Sequence, residues 1–253
     1  MTLSDSCARR LAIFSEGARR AANAGDREID WDATPAAPAW MPVRSYATAI
    51  SQLYYGELAT IAMAERLTVD IDDDAAKAFI QTQIADERRH AAYYQRYLSR
   101  LGEIGEIEKG IAMAYDGALA WRGSYHGTII AFHVVLEGEG LCIQQLYGRW
   151  FACPLFQQVN TLIARDEGRH VGFGKLLLKE TLGALTFEER IAIYRWVRAL
   201  WLECASAIQA EVPRAVALLL GRDWAAVRWR RQYRTLRAVG LIADCEEALF
   251  ERD

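Results

Sequence analysis

The five-residue pattern Asp-Glu-x-Arg-His occurs twice in this 253-residue chain, as Asp86-Glu87-Arg88-Arg89-His90 and Asp166-Glu167-Gly168-Arg169-His170. On a helix the Glu and His of each copy stand three residues apart and share a face. A further Glu precedes each copy at the same distance: Glu57 lies 30 residues before Glu87, and Glu137 lies 30 before Glu167. The flanks are apolar, with Ile84 and Ala85, Val134 to Leu136, and Ile163 and Ala164. A carboxylate inside an apolar helix is costly unless it is paired or bound to metal. One Glu-x-x-His alone is commonplace on a solvated helix face. Two copies with matched upstream Glu residues call for a fold that turns four carboxylates and two imidazoles inward from four helices.

Divalent first-row metals accept imidazole and carboxylate ligands together. The expected ligands are Glu57, Glu87, His90, Glu137, Glu167 and His170. Two of the carboxylates can bridge a pair of cations, with one imidazole for each. No cysteine falls within the motifs, so neither a thiolate-held zinc nor an iron–sulfur cluster is indicated. Metal-bound histidines usually donate their second ring proton to a carboxylate or carbonyl. Asp86 and Asp166 are the expected partners, and Arg89 and Arg169 are expected in structural ion pairs.

The rest of the chain reads as all-α, a single domain spanning 1–253. An amphipathic helix over Ser4–Ala24 leads into an irregular Ala24–Val43 segment that holds Pro35, Pro38, Pro42, Trp31 and Trp40. Prolines at this density stop helices, and the two Trp residues predict that the segment packs onto its surroundings. A core over about 45–182 follows, with helices at Ser45–Leu67, Asp74–Leu101, Ser124–Phe151 and Leu155–Leu182. Pro154 suits the first turn of the last of these. Beyond it, over 183–253, come further helices. Thr186 and Glu189 form a capping-box pattern that opens a helix to about Val212. Pro213 and Gly221 interrupt the tail, and Trp224–Val239 is rich in Arg and aromatic residues.

Several residues near the motifs carry open alternatives. His133 stands one turn before Glu137; it fits a seventh ligand, a proton donor, a substrate contact or a satisfied core histidine. Tyr94, one turn after His90, and Tyr54, before Glu57, read as core phenols, proton donors or redox-active groups. Glu139 points away from Glu137 on an ideal helix and reads as a surface or inter-helix Glu, with a π-bulge within Glu137–Gly140 that brings it inward as the alternative. The five cysteines show no paired spacing, which fits thiols in a reducing cytoplasm. A net charge of −3 gives no reason to expect nucleic acid. No stretch of 18 uninterrupted apolar residues is present, so no membrane span is expected.

The paired motifs resemble those of the ferritin-like dimetal-carboxylate superfamily, over about Ser45 to Leu182. Asp166-Glu167-Gly168-Arg169-His170-Val171 looks most like the oxidase and oxygenase branch, which includes the ribonucleotide reductase small subunit, its oxidase relatives and diiron N-oxygenases. The resemblance implies a ferritin-like four-helix bundle with additional N- and C-terminal helices. It implies two iron ions, with a manganese–iron pair as the alternative, and O2 as co-substrate. It implies that Asp86 reaches His170 and Asp166 reaches His90. Under it, Tyr94 and His133 are candidates for catalysis. The implied partners are a small, partly apolar organic substrate, a reductase or ferredoxin as electron donor, and a second copy in a homodimer. The alternative is a ferroxidase or iron-handling protein, or a rubrerythrin-like peroxidase.

Overall fold

Asp73 opens and Gly102 closes the helix that carries the first motif. The Asp73 carboxylate accepts from the Ala76 N–H at 3.0 Å, which satisfies one of the donors left over at a helix start. At the other end Gly102 adopts φ 97°, a left-handed conformation that glycine enters without steric penalty. The Glu103 N–H then reaches back to Leu98 O at 3.2 Å, completing a Schellman closure.

The computed structural model describes residues 3–211, 223–246 and Phe250. Among these residues the secondary structure is helical throughout, with no strand. In chain order the helices are α1 (Asp5–Gly25), α2 (Val43–Asp70), α3 (Asp74–Leu101), α4 (Lys109–Leu119) and α5 (Tyr125–Ile129). A π-helical segment (Ile130–Leu136) continues α5 into α6 (Glu137–Trp150). There follow α7 (Pro154–Thr181), α8 (Phe187–Glu211) and α9 (Trp224–Val239). The expected end of the fifth long helix near Val212, and the breaks at Pro213 and Gly221, lie outside the described residues.

The chain forms two compact units. One comprises Met1–Ile107 with Leu136–Phe173. Within it α2 and α3, each of 28 residues and so ~42 Å long, are joined by three residues and pack along each other, and α1 lies against α3. Its core holds Tyr46, Tyr94, Tyr97, Phe151, Phe156 and Val159. Inside it Tyr46 and Tyr97 share a 2.8 Å hydrogen bond, and Tyr97 donates to Cys153 Sγ at 3.4 Å. Burial pushes both phenols up from their ordinary range. Trp31 packs on Tyr93 with ring centroids 5.7 Å apart, and Arg96 stands over the indole at 4.1 Å. Trp40 touches Phe151 with centroids 6.4 Å apart but stays 61% exposed, so Trp31 is the residue that anchors the proline-rich segment.

The other unit comprises Glu108–Val135 with Gly174–Asp253. In it α4, α5 and α9 all pack on α8. The Thr186 hydroxyl accepts from the Glu189 N–H, while the Glu189 carboxylate accepts from the Thr186 N–H, the reciprocal bonds that start α8. Gly174 is required by packing: a Cβ there would stand 2.3 Å from His133 Cβ. Arg230, Arg231 and Arg234 lie on the exposed face of α9, opposite buried Trp229, Gln232 and Leu236. The helix Tyr125–Trp150 is long and apolar enough to cross a membrane, with a mean hydropathy of 1.2, but it carries His133 and Glu137, both buried.

Glu137–Gly140 stays α-helical, and the π segment lies earlier, at Ile130–Leu136. Such segments are rare and frequent at functional sites. Ile130 to Val135 are all buried. A Cβ at Gly138 or Gly140 would meet no atom within 4 Å. Glu139 remains half-buried.

Candidate metal centre

Glu57 comes from α2, Glu87 and His90 from α3, Glu137 from the first position of α6, and Glu167 and His170 from α7. All six side chains are buried. Ligand atoms of Glu57, Glu87, His90 and Glu167 lie within 4.8 Å of one another, and so do those of Glu87, Glu137, Glu167 and His170. Glu87 and Glu167 therefore belong to both groups.

Their oxygens divide between the two histidines. Glu87 Oε2 lies 3.2 Å from His90 Nδ1, and Oε1 lies 3.0 Å from His170 Nδ1. Glu167 Oε1 lies 3.2 Å from His90 Nδ1, and Oε2 lies 3.3 Å from His170 Nδ1. Glu57 Oε2 completes the first group at 3.5 Å from His90 Nδ1. One ring nitrogen carries at most one proton, yet three carboxylates crowd His90 Nδ1. Glu137 Oε2 is buried and has no hydrogen-bond partner, a state that is costly without a cation. Donor atoms converging on shared points, with Glu137 Oε2 and Glu167 Oε1 both left without a hydrogen bond, are what a ligand shell requires. The two buried groups could each hold a metal ion.

The far nitrogens of the imidazoles face the aspartates. Asp166 Oδ2 lies 3.2 Å from His90 Nε2, and Asp86 Oδ2 lies 3.4 Å from His170 Nε2. Each motif's aspartate thus sits on the histidine of the other motif. With the proton on Nε2, each ring donates to its Asp and turns the Nδ1 lone pair toward the glutamates. The two arginines tie the aspartates together. Arg89 Nη2 lies 2.6 Å from Asp86 Oδ1 and 2.7 Å from Asp166 Oδ2. Arg169 Nη2 lies 2.9 Å from Asp166 Oδ1 and 3.1 Å from Asp86 Oδ2. The result is a closed ring of alternating charge behind both histidines.

The protonation energetics follow from this geometry. Burial, then the charge of Glu167, pushes Glu57 and Glu137 well above the usual carboxylate range. Burial alone would raise Glu87 too, but His170 and His90 outweigh it and hold Glu87 well below that range. For both aspartates burial is likewise outweighed, by the facing histidine and the arginines, and both are lowered. The histidines are pushed up against the effect of burial by the carboxylates around them. Four ionised glutamates would balance two dications.

No protein-family model matches the chain, and no curated protein matches it.

Of the other residues singled out from sequence, Tyr94 is fully buried and its hydroxyl accepts from Gln144 Nε2 at 3.3 Å. Burial, then the charge of Glu57, pushes its phenol well above the ordinary range, so it keeps its proton. His133 is fully buried and belongs to neither ligand group, and half-buried Glu139 stands outside both as well. Tyr54 is half-buried against Tyr55, with ring centroids 5.4 Å apart. His126 pairs with the Thr181 hydroxyl at 3.0 Å, and burial pushes it down to about 4.

Two residues at the centre escape a motif-based reading. Gln83 donates to Glu87 Oε1 at 3.0 Å and to Glu137 Oε1 at 2.9 Å. Gln144, seven residues after Glu137, holds Tyr94. Each had a signal in its spacing, since both stand on the helix face of a ligand.

Proposed function

We propose that the chain is an O2-dependent dimetal oxidase or oxygenase with a ferritin-like four-helix bundle, acting on a small, partly apolar organic molecule. The observation that carries this reading is the sharing of Glu87 and Glu167 between two groups that each add one terminal Glu and one His. Nitrogen and oxygen donors without thiolate suit iron, or a manganese–iron pair, better than softer metals. Two reduced iron ions bound there would supply the electrons that activate O2.

The residues of the chain have definite tasks in this scheme. Glu57 and Glu137 would each serve one ion, Glu87 and Glu167 would be shared between the two, and His90 and His170 would offer Nδ1. Asp86 and Asp166 fix the tautomer of each imidazole, and Arg89 and Arg169 hold the aspartates. Phe79 and Phe173 stack at 4.4 Å, and the edge of Phe79 meets His170 at 6.3 Å; they exclude water from that side of the centre. Tyr94 keeps a proton at its hydroxyl in a dry setting, where Gln144 orients it for transfer. A reductase or ferredoxin would return electrons between turnovers.

The test is O2 uptake by the iron-loaded protein with a chemical reductant and a panel of amines, aromatics and fatty acids. The expected result is uptake stimulated by one substrate class, with labelled oxygen or a new double bond in the product. Glu137→Ala and His170→Ala should abolish it while helical circular dichroism persists. Oxidation of many iron equivalents per chain without organic product would assign iron handling instead.

A further inference from the structure

Gln83 lies one turn before Glu87 on α3 and is wholly buried. Of the two carboxylates that it reaches, Glu137 belongs to the His170 group alone, and Glu87 is shared but turns the bonded Oε1 toward His170 Nδ1 at 3.0 Å. Turned over, the amide would set its carbonyl against two carboxylates, so the acceptors fix its orientation. One amide nitrogen has two hydrogens, one for each carboxylate, and it links α3 to α6. The other half of the centre lacks this device. The residue one turn before Glu167 is Ile163, which is buried in the apolar core.

A carboxylate held through one oxygen presents the other. For Glu137 the presented atom is Oε2, which is buried without a partner. Among the described residues Glu57 receives no such amide; its Oε2 faces His90 Nδ1. The two groups therefore match in ligand identity and differ in how firmly the terminal Glu is set.

We propose that Gln83 is a positioning residue that makes the two metal subsites unequal, holding Glu137 so that Oε2 is left to attach and preorganising the His170 group more firmly than the His90 group. A terminal Glu restricted to one oxygen leaves the His170 subsite more room for a ligand from outside the protein. This assignment rests on the dimetal reading above.

The experiment is an anaerobic Co(II) titration of the full chain, followed by visible absorption, for the wild type and Gln83→Leu. The wild type should take up two Co(II) in two unequal steps. Gln83→Leu should keep the helical circular dichroism, weaken one step 10–100-fold, as loss of a group that orients a ligand does, and alter the Co(II) spectrum of that step more than that of the other. In a His90→Ala chain, which retains the His170 group, Gln83→Leu should weaken binding by the same factor. In a His170→Ala chain it should weaken binding less, because only the shared Glu87 then feels the loss of the amide. Should Gln83→Leu fail to fold, Gln83→Asn, too short to reach both carboxylates, replaces it. Equal weakening of both steps, or of neither, overturns the role of Gln83. A wild type that binds fewer than two Co(II) overturns the dimetal reading itself, and the assignment of Gln83 with it.

Discussion

The two halves of the centre are alike where they touch the ligand positions and unlike one turn away. Glu57, Glu87 and His90 face Glu137, Glu167 and His170, with Asp86 and Asp166 crossed behind them. Yet Gln83 answers to Ile163, and Tyr94 answers to Gly174. The difference separates two kinds of constraint. The ligands and their aspartates are tied by charge, because a buried carboxylate needs a counter-charge and a buried imidazole needs an acceptor. The neighbours are tied only by volume and local hydrogen bonding, so each half can be furnished separately. Tyr94 fills its place with a phenol held by Gln144. Gly174 empties its place because His133 Cβ already stands where a side chain would begin.

The sharpest way to break this comparison is to remove a shared ligand. Glu87→Ala or Glu167→Ala should lose both metal equivalents, whereas Glu57→Ala or Glu137→Ala should retain one, as measured by metal analysis after desalting. Equal losses from all four variants would mean that no carboxylate is shared.

The crossed aspartates give the next largest effect. Asp166→Asn should weaken the His90 group and Asp86→Asn the His170 group, each by ~10–100-fold in metal affinity. Weakening on the same side as the mutated motif would contradict the crossed geometry.

Gly174→Ala tests the empty place: overpacking against His133 should destabilise by about 1–3 kcal/mol in denaturant unfolding. A neutral result would show that His133 can move aside.

The histidines extend the comparison to pH. His90 and His170 are pushed up by carboxylates, whereas His126 meets a hydroxyl and is pushed down to about 4 by burial. Its folded value lies below the unfolded value of about 6.5, so its contribution is fully present above that pH and is lost as pH falls toward 4. At about pH 5 it should reduce stability by about 2 kcal/mol. His126→Gln should flatten the stability curve between about pH 6.5 and 4, read by urea unfolding. An unchanged slope would remove His126 as its source.

The smallest effect is expected at Tyr94→Phe. It removes the acceptor for Gln144 Nε2 and should cost about 1–2 kcal/mol of stability. It should leave both metal equivalents in place.

Much of this is legible in the chain alone, and the reason is physical. Glu and His at helical spacing within apolar flanks have few ways to be buried, so the six residues and their helices can be read together. Asp73 and Thr186 announce helix starts in the same manner, by supplying an acceptor where backbone donors are left over. The π segment is not legible in its place. Ile130 to Val135 are all buried, and no residue type in that run marks a π turn in advance. The Arg ring is foreseeable only as ion pairing, because which aspartate each arginine reaches depends on how α3 and α7 face each other. Trp40 shows the limit from the other side: an aromatic residue among prolines predicts packing, and Trp40 stays mostly exposed while touching Phe151, whereas Trp31 packs on Tyr93.

The most direct test of the central claim is a crystal structure of the protein grown anaerobically with Mn(II) or Fe(II), with anomalous scattering used to count the ions. Two peaks should stand between Glu87 and Glu167, one beside each histidine Nδ1. A single peak, or metal bound away from these residues, would contradict a dimetal centre.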